Sequence, residues 1–129
     1  MNFKNIAIVT AIIAFVLGIG YLFFGSIIIG RWEIEPTENV LLLGRRMGSI
    51  YLGLSIIFFL SRSILISVAR TALTIGAAVT LSLLAFLSFY EYIADHAGSG
   101  ILVSAVIELI LSLGFVRLLI VEQKSVTKV

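Results

Sequence analysis

The chain has 129 residues, of which 60% are hydrophobic and 12% charged, and its mean hydropathy is +1.20. Soluble domains are about 45–50% apolar and about 25% charged, so this composition excludes a soluble globular core and indicates an integral membrane protein. The formal net charge of +2 is not gathered into a basic strip, which argues against binding of DNA or RNA.

Four apolar blocks follow one another along the chain, at about residues 6–24, 40–60, 64–93 and 100–121. Each block reaches the roughly 20 residues that a helix needs to span the hydrocarbon core of a bilayer. Backbone polar groups must form their hydrogen bonds internally there, and the blocks lack the alternation of a membrane barrel, so we expect helices. The sequence therefore predicts one all-α domain over residues 1–129, an integral membrane bundle of four transmembrane helices.

The first block has the basic start of a signal peptide, but its apolar run exceeds the usual 7–15 residues and no small-residue cleavage site follows it, so we expect a retained helix. The longest link, residues 25–39, contains Trp32, which fits an interfacial anchor. Thr37 or Asn39 is suited to cap the second helix. The turn at residues 61–63 is short, which predicts that the second and third helices are antiparallel neighbours.

The distribution of charge predicts the orientation in the membrane. One side holds six basic residues, namely Lys4, Arg62, Arg70, Arg117, Lys124 and Lys128. The other side holds three arginines and most of the acidic residues, namely Arg31, Arg45, Arg46, Glu33, Glu35, Glu38, Glu91 and Asp95. Cytoplasmic flanks are enriched in Lys and Arg, so we expect both termini in the cytoplasm of a bacterium and the protein in its inner membrane.

Glu108 stands inside the fourth apolar block, where a charged side chain is expensive: insertion scales give roughly 2.5–3.5 kcal/mol for Asp, Lys and Arg at the bilayer centre. Arg45 and Arg46 lie five or six residues into the second block from the same side of the membrane. At 1.5 Å per residue, the arginines and Glu108 lie roughly 8–9 Å and 12 Å deep, within reach of a long arginine side chain. The sequence predicts that Arg45 or Arg46 pairs with Glu108, with Glu91 nearby.

Small polar residues extend this prediction to a pocket. Ser104, Glu108 and Ser112 recur every four residues and so share one face of the fourth helix, and Arg45 and Ser49 do the same on the second. The predicted ligand or ion pocket comprises Arg45, Arg46, Ser49, Glu91, Ser104, Glu108 and Ser112. The same groups also fit a static ion pair that only fixes the register of two helices, and both interpretations remain open.

Two further groups of residues have predicted structural roles. Gly44, Gly48 and Gly53 allow close helix packing on the second helix, with Gly44 and Gly48 in the small-xxx-small spacing. Arg70 and Arg117 lie just inside the basic boundary, where their side chains can reach lipid headgroups.

The string Gly-Arg-Arg-Met-Gly-Ser-Ile-Tyr-Leu-Gly-Leu at residues 44–54 resembles the arginine-and-glycine helix of small four-helix bacterial membrane proteins in the broad DoxX-like group. Chain length, four spans and a glutamate in the last helix are also similar. The resemblance implies a four-helix inner-membrane fold, and some members resemble subunits linked to quinone-dependent oxidoreductases. No span of this chain has a histidine that could ligate haem, so a redox role would need a partner or a quinone site.

The chain lacks cysteine and the familiar motifs of catalysis, and its single histidine leaves little for a zinc, haem or copper site, so neither a catalytic residue nor a cofactor is predicted. The leading prediction is a non-enzymatic inner-membrane protein whose polar pocket binds a lipid-like or quinone-like molecule, or which supports a membrane complex. The alternative is a small oligomeric transporter or channel that uses Glu108 with Arg45 or Arg46. Predicted partners are membrane lipid, a quinone or other hydrophobic small molecule, and further copies or subunits. A continuous polar path across the membrane would favour transport.

Overall fold

Five helices make up the fold in a computed structural model that describes the backbone of residues 2–126 and the side chains of residues 2–122. They are α1 (Phe3–Phe23), α2 (Gly25–Gly30), α3 (Glu38–Ser61), α4 (Val68–Ile93) and α5 (Ile101–Val126). No strand occurs in this part of the chain. Four of the helices, α1, α3, α4 and α5, are long and apolar enough to cross a membrane, which confirms the predicted all-α bundle of four spans.

The helix boundaries follow from local capping. The Thr37 side chain accepts a hydrogen bond from the backbone N–H of Val40, so Thr37 is the cap of α3 and Asn39 lies inside the helix. The Ser67 side chain accepts from the N–H of Arg70 at 3.3 Å, so α4 begins at Val68 rather than at the predicted residue 64. The short helix α2 lies within the link that the sequence analysis left without a helix.

The bundle has two ends, which we name by what lies there. The links at residues 31–37 and 94–100 form the loop end. The start of α1, the link at residues 62–67 and the last turns of α5 form the terminal end.

The transmembrane helices pack as two pairs, α1 with α3 and α4 with α5. The first pair crosses at Gly18 and Gly48: a Cβ added at Gly48 would lie 2.8 Å from the Gly18 carbonyl oxygen. Gly44 is also in close contact, since its added Cβ would lie 3.3 Å from Ile29 of α2. The packing role predicted for Gly53 is wrong, because nothing lies within 4 Å of the position a Cβ would take there.

The second pair is joined by hydroxyl groups. Ser112 of α5 is buried, donates to the backbone carbonyl of Ala78 at 3.1 Å, and lies 2.7 Å from the Ser82 hydroxyl, both on α4. Both hydrogen bonds of the Ser112 hydroxyl are made to α4, so Ser112 has a structural role in joining α4 and α5.

The two pairs meet mainly through α1 and α5, near the terminal end. A buried cluster fills this junction: Phe3, Ile6, Ala7, Ala11, Phe58, Ala77, Ala78, Phe115 and Leu118. Over the described residues α3 and α4 do not pack along each other, so the prediction that they are neighbours is wrong. Instead α3 packs against α1 at Gly48, and α4 packs against α5 through the contact of Ser82 with Ser112.

Arg70 ties the terminal end together. Its guanidinium pairs with the carboxylate of Glu122, donates to the carbonyl of Ile64 at 3.3 Å and lies over the Phe3 ring at 4.6 Å. Only 14% of the Arg70 side chain is exposed, and its guanidinium binds a carboxylate and a carbonyl of the protein instead of a lipid headgroup. The predicted contact of Arg70 with headgroups is therefore wrong. Arg117 is exposed, and its predicted contact with headgroups stays a prediction.

Backbone contacts between the two links close the loop end. The N–H of Gly98 donates to the carbonyl of Trp32 at 2.6 Å. A Cβ added at Gly100 would lie 2.0 Å from the carbonyl oxygen of Arg31, so only glycine fits at this position. The two helix pairs are thus joined at both ends, and the space between them lies in the middle.

Candidate functional site

A cavity of about 980 Å³ separates the α1–α3 pair from the α4–α5 pair. It reaches from Trp32 and His96 at the loop end to Phe58 and Ala69 near the terminal end. Most of its lining is apolar. Large, mainly apolar cavities with a few convergent polar groups are the usual form of small-molecule sites.

The polar groups of the cavity lie mainly on the α4–α5 wall. The Ser88 hydroxyl of α4 donates to Oε2 of Glu108 on α5 at 3.5 Å, and Ser104 lies one turn from Glu108 on the same face. Closer to the loop end, Oε2 of Glu91 lies 2.8 Å from Nδ1 of His96. The wall therefore presents one carboxylate with a histidine partner and, deeper, one with only a hydroxyl.

Aromatic rings from the other helix pair face the same space. Tyr21 of α1 and Tyr51 of α3 stack with ring centroids 5.9 Å apart, and Trp32 meets Tyr21 edge-on at 6.2 Å. All three line the cavity. The Glu108 carboxylate lies within electrostatic range of both phenol groups, so the carboxylate and the aromatic cluster share one part of the cavity.

Arg45, Arg46 and Ser49 do not line the cavity, which corrects their predicted place in the pocket. All three are exposed, and Arg45 pairs with Glu38 on its own helix at 3.8 Å. Among the described residues neither arginine forms an ion pair with Glu108. The reason is helical phase: the cavity face of α3 follows Gly44, Met47, Tyr51 and Leu54, and the intervening positions point elsewhere.

Of the other predicted pocket residues, the structure brings Glu91, Ser104 and Glu108 to the cavity. Ser112 faces α4 instead, since Ala78 and Ser82 occupy its hydroxyl. Both predicted carboxylates therefore line the cavity, whereas the predicted residues of α3 lie on another face of that helix.

The cavity residues that were not assigned to the site from sequence include Tyr21, Trp32, Tyr51 and Ser88. A usable signal existed for two of them. Tyr51 lies seven residues after Gly44, and Ser88 lies three residues before Glu91, spacings that place each pair on one helix face. Trp32 and Tyr21 carried no such signal, because their contact depends on α2 turning the chain back.

The lining of the cavity becomes less polar toward the terminal end. Beyond Glu108 the cavity wall is made of aliphatic and aromatic side chains, with only the hydroxyls of Thr10 and Thr80 among the described residues. The Thr10 hydroxyl is buried and makes no hydrogen bond within the described part of the chain. A continuous polar path between the two ends is therefore absent from the described residues.

No group of three or more histidine or acidic side chains within the described residues is arranged to hold a metal ion. Comparisons with protein-family models, curated proteins and solved structures find no match to this chain.

Proposed function

We propose that this protein binds a membrane-soluble small molecule, of lipid-like or quinone-like chemistry, in the cavity between its two helix pairs. The observation that carries the proposal is the cavity of about 980 Å³, apolar over most of its lining and polar in one region near the loop end. An amphipathic molecule matches that division, with its head beside Glu108 and Ser88 and its apolar part toward Ala77.

The proposal extends to location and orientation. The four candidate spans support a multi-pass membrane protein, and we propose the bacterial inner membrane with both termini cytoplasmic. The basic residues Lys4, Arg62 and Arg117 at the terminal end support this orientation. The resemblance of residues 44–54 to the DoxX-like group and a role within a larger membrane complex stay predictions.

Transport or conduction is less well supported than binding. An ion or polar solute would need hydrogen-bonding groups along its route, since desolvation inside a bilayer is costly. Over residues 2–122, the lining between Glu108 and the terminal end offers only the hydroxyls of Thr10 and Thr80 as polar side-chain groups. The two arginines that the alternative required lie outside the cavity.

Mass spectrometry of molecules co-extracted with the protein tests the proposal. Gly76 lines the cavity and has nothing within 4 Å of an added Cβ, so Gly76→Phe fills part of the apolar half without a clash at Cβ. We expect the wild type to retain one lipid or quinone species in near-stoichiometric amount through detergent extraction. The Gly76→Phe variant should retain at least about tenfold less, because the added ring competes for the same space.

Gly53→Phe is the matched control, since Gly53 is also a helix-interior glycine with open space around it but does not line the cavity. It should retain the same molecule as the wild type. Equal retention by the two variants, or no co-extracted molecule in the wild type, would refute binding in the cavity.

A further inference from the structure

Within the described part of the chain, the cavity is lined by carboxylates but by no basic side chain apart from a histidine. Its titratable lining groups within the described residues are Tyr21, Tyr51, Glu91, His96 and Glu108. The arginines closest in sequence to these groups, Arg31, Arg46 and Arg117, are exposed and do not line the cavity. Without a charge on His96, the described polar groups of the cavity therefore supply no positive charge.

The two carboxylates differ in what faces them. Glu91 has Nδ1 of His96 at 2.8 Å, and the histidine side chain is 62% exposed at the loop end. Among the described residues, Glu108 has only the hydroxyl of Ser88 as a partner, at 3.5 Å, on the outer limit of a hydrogen bond. The deeper carboxylate is thus the one whose charge the protein leaves without a counter-charge.

From this arrangement we infer that the bound molecule has a cationic head, an amine or quaternary ammonium group, held between Glu108 and the Tyr21–Tyr51 pair. The inference rests on the proposed function and specifies the charge of its ligand. A carboxylate inside a membrane is stabilised by a paired cation, and aromatic rings attract the same cation through their quadrupoles. The stacked tyrosines come from α1 and α3, and Glu108 comes from α5, so the head would join the two helix pairs.

The aromatic cluster distinguishes this ligand from a neutral one. A quinone carbonyl would accept a hydrogen bond from a donor of the cavity, such as a tyrosine or serine hydroxyl or the Trp32 indole, and would leave the Glu108 charge unpaired. A cation gains from the carboxylate and from the rings together, and Glu108, Tyr21 and Tyr51 all line the cavity. An apolar body attached to the head fits the remaining lining toward Ala77.

Tetraphenylphosphonium and tetraphenylborate, which have the same shape and opposite charge, provide the test. Each is titrated into protein in lipid nanodiscs, with empty nanodiscs subtracted, and binding is measured by equilibrium dialysis. Fluorescence of Trp32, the sole tryptophan, reports occupation of the cavity because Trp32 lines it. We expect saturable binding of tetraphenylphosphonium and at least about tenfold weaker binding of tetraphenylborate at this site.

Substitutions locate the charge effect. Glu108→Gln keeps the size of the side chain and a hydrogen-bonding partner for Ser88, and it should weaken tetraphenylphosphonium binding about tenfold or more. Glu38→Gln removes the same charge outside the cavity and should have no effect. Tyr51→Leu should weaken binding about threefold to thirtyfold, whereas Tyr51→Phe, which keeps the ring, should change it less than twofold.

The inference would be overturned if Glu108→Gln left tetraphenylphosphonium binding unchanged, or weakened it no more than Glu38→Gln does. Equal binding of tetraphenylphosphonium and tetraphenylborate would overturn it as well. Size-exclusion profiles identical to the wild type establish that each variant is folded. The outcomes are distinguishable from failure of the proposed function: a neutral molecule displaced by Gly76→Phe but not by Gly53→Phe would support the cavity and refute only the cationic head.

Discussion

Gly48→Ala should destabilise the protein even though alanine favours a helix more than glycine does. The added Cβ would lie 2.8 Å from the carbonyl oxygen of Gly18 and 3.1 Å from the backbone nitrogen of Leu22, where ordinary contact begins at 3.4 Å. Both are backbone atoms, so no side-chain rotation relieves the overlap and the α1–α3 pair must separate.

The magnitude follows from two opposing terms. Forcing extra atoms into a well-packed contact costs about 1–3 kcal/mol. Replacing a helix-interior glycine by alanine gains about 0.5–1 kcal/mol. The net loss in free energy of unfolding for Gly48→Ala is therefore about 1 kcal/mol, within a range of about 0–2.5 kcal/mol. Gly53→Ala gains the same helix propensity without any overlap, since nothing lies within 4 Å of its added Cβ. It should raise the free energy of unfolding by up to about 1 kcal/mol.

Reversible unfolding in mixed micelles by titration with dodecyl sulfate, followed by circular dichroism, measures both changes. The two variants make the same chemical change in the same helix, so the difference in helix propensity cancels in the comparison. Shifts of the same sign and size at Gly48 and Gly53 would show that the close crossing at Gly18 and Gly48 does not exist.

Three other contacts yield predictions. Arg70→Met and Glu122→Gln should each lower the free energy of unfolding by about 3–5 kcal/mol, because each leaves the partner's charge buried. A double-mutant cycle should give a coupling energy above about 1 kcal/mol, and additive losses would exclude the pair. Ser112→Ala should lower the free energy of unfolding by about 1–2 kcal/mol in the same assay, and no change would mean that its hydroxyl does not join α4 and α5. Gly100→Ala should disrupt the contact with Arg31 and speed proteolysis within the link at residues 94–100, whereas wild-type protease resistance would contradict that contact.

The spans were predictable from sequence because they depend on a property of continuous segments. Twenty apolar residues admit only a helix in a bilayer, and the cap at Thr37 is a local interaction between residues three apart. The short helix α2 was not predictable, since its six residues carry no membrane signal and its position depends on contacts with α1 and α3.

The site was only partly predictable, because the sequence shows how deep a residue lies along its helix more clearly than the direction in which its side chain points. Glu108 and Arg45 were correctly placed in their helices, but the pairing between them required a rotation of α3 that the sequence does not specify. The glycine contact at Gly48 determines that rotation, because it presses one face of α3 against α1. Met47 and Tyr51 then face the cavity, and Arg45 faces away from it.

The missing contact between α3 and α4 has a thermodynamic consequence for any ligand. A gap between two membrane-spanning helices is not a vacuum, because acyl chains of neighbouring lipids can enter it from the side. Binding is then an exchange of one apolar occupant for another, so burial of apolar surface contributes little net driving force. Selectivity must come from the few polar and aromatic groups near the loop end, and the heat-capacity change on binding should be small for so large a cavity.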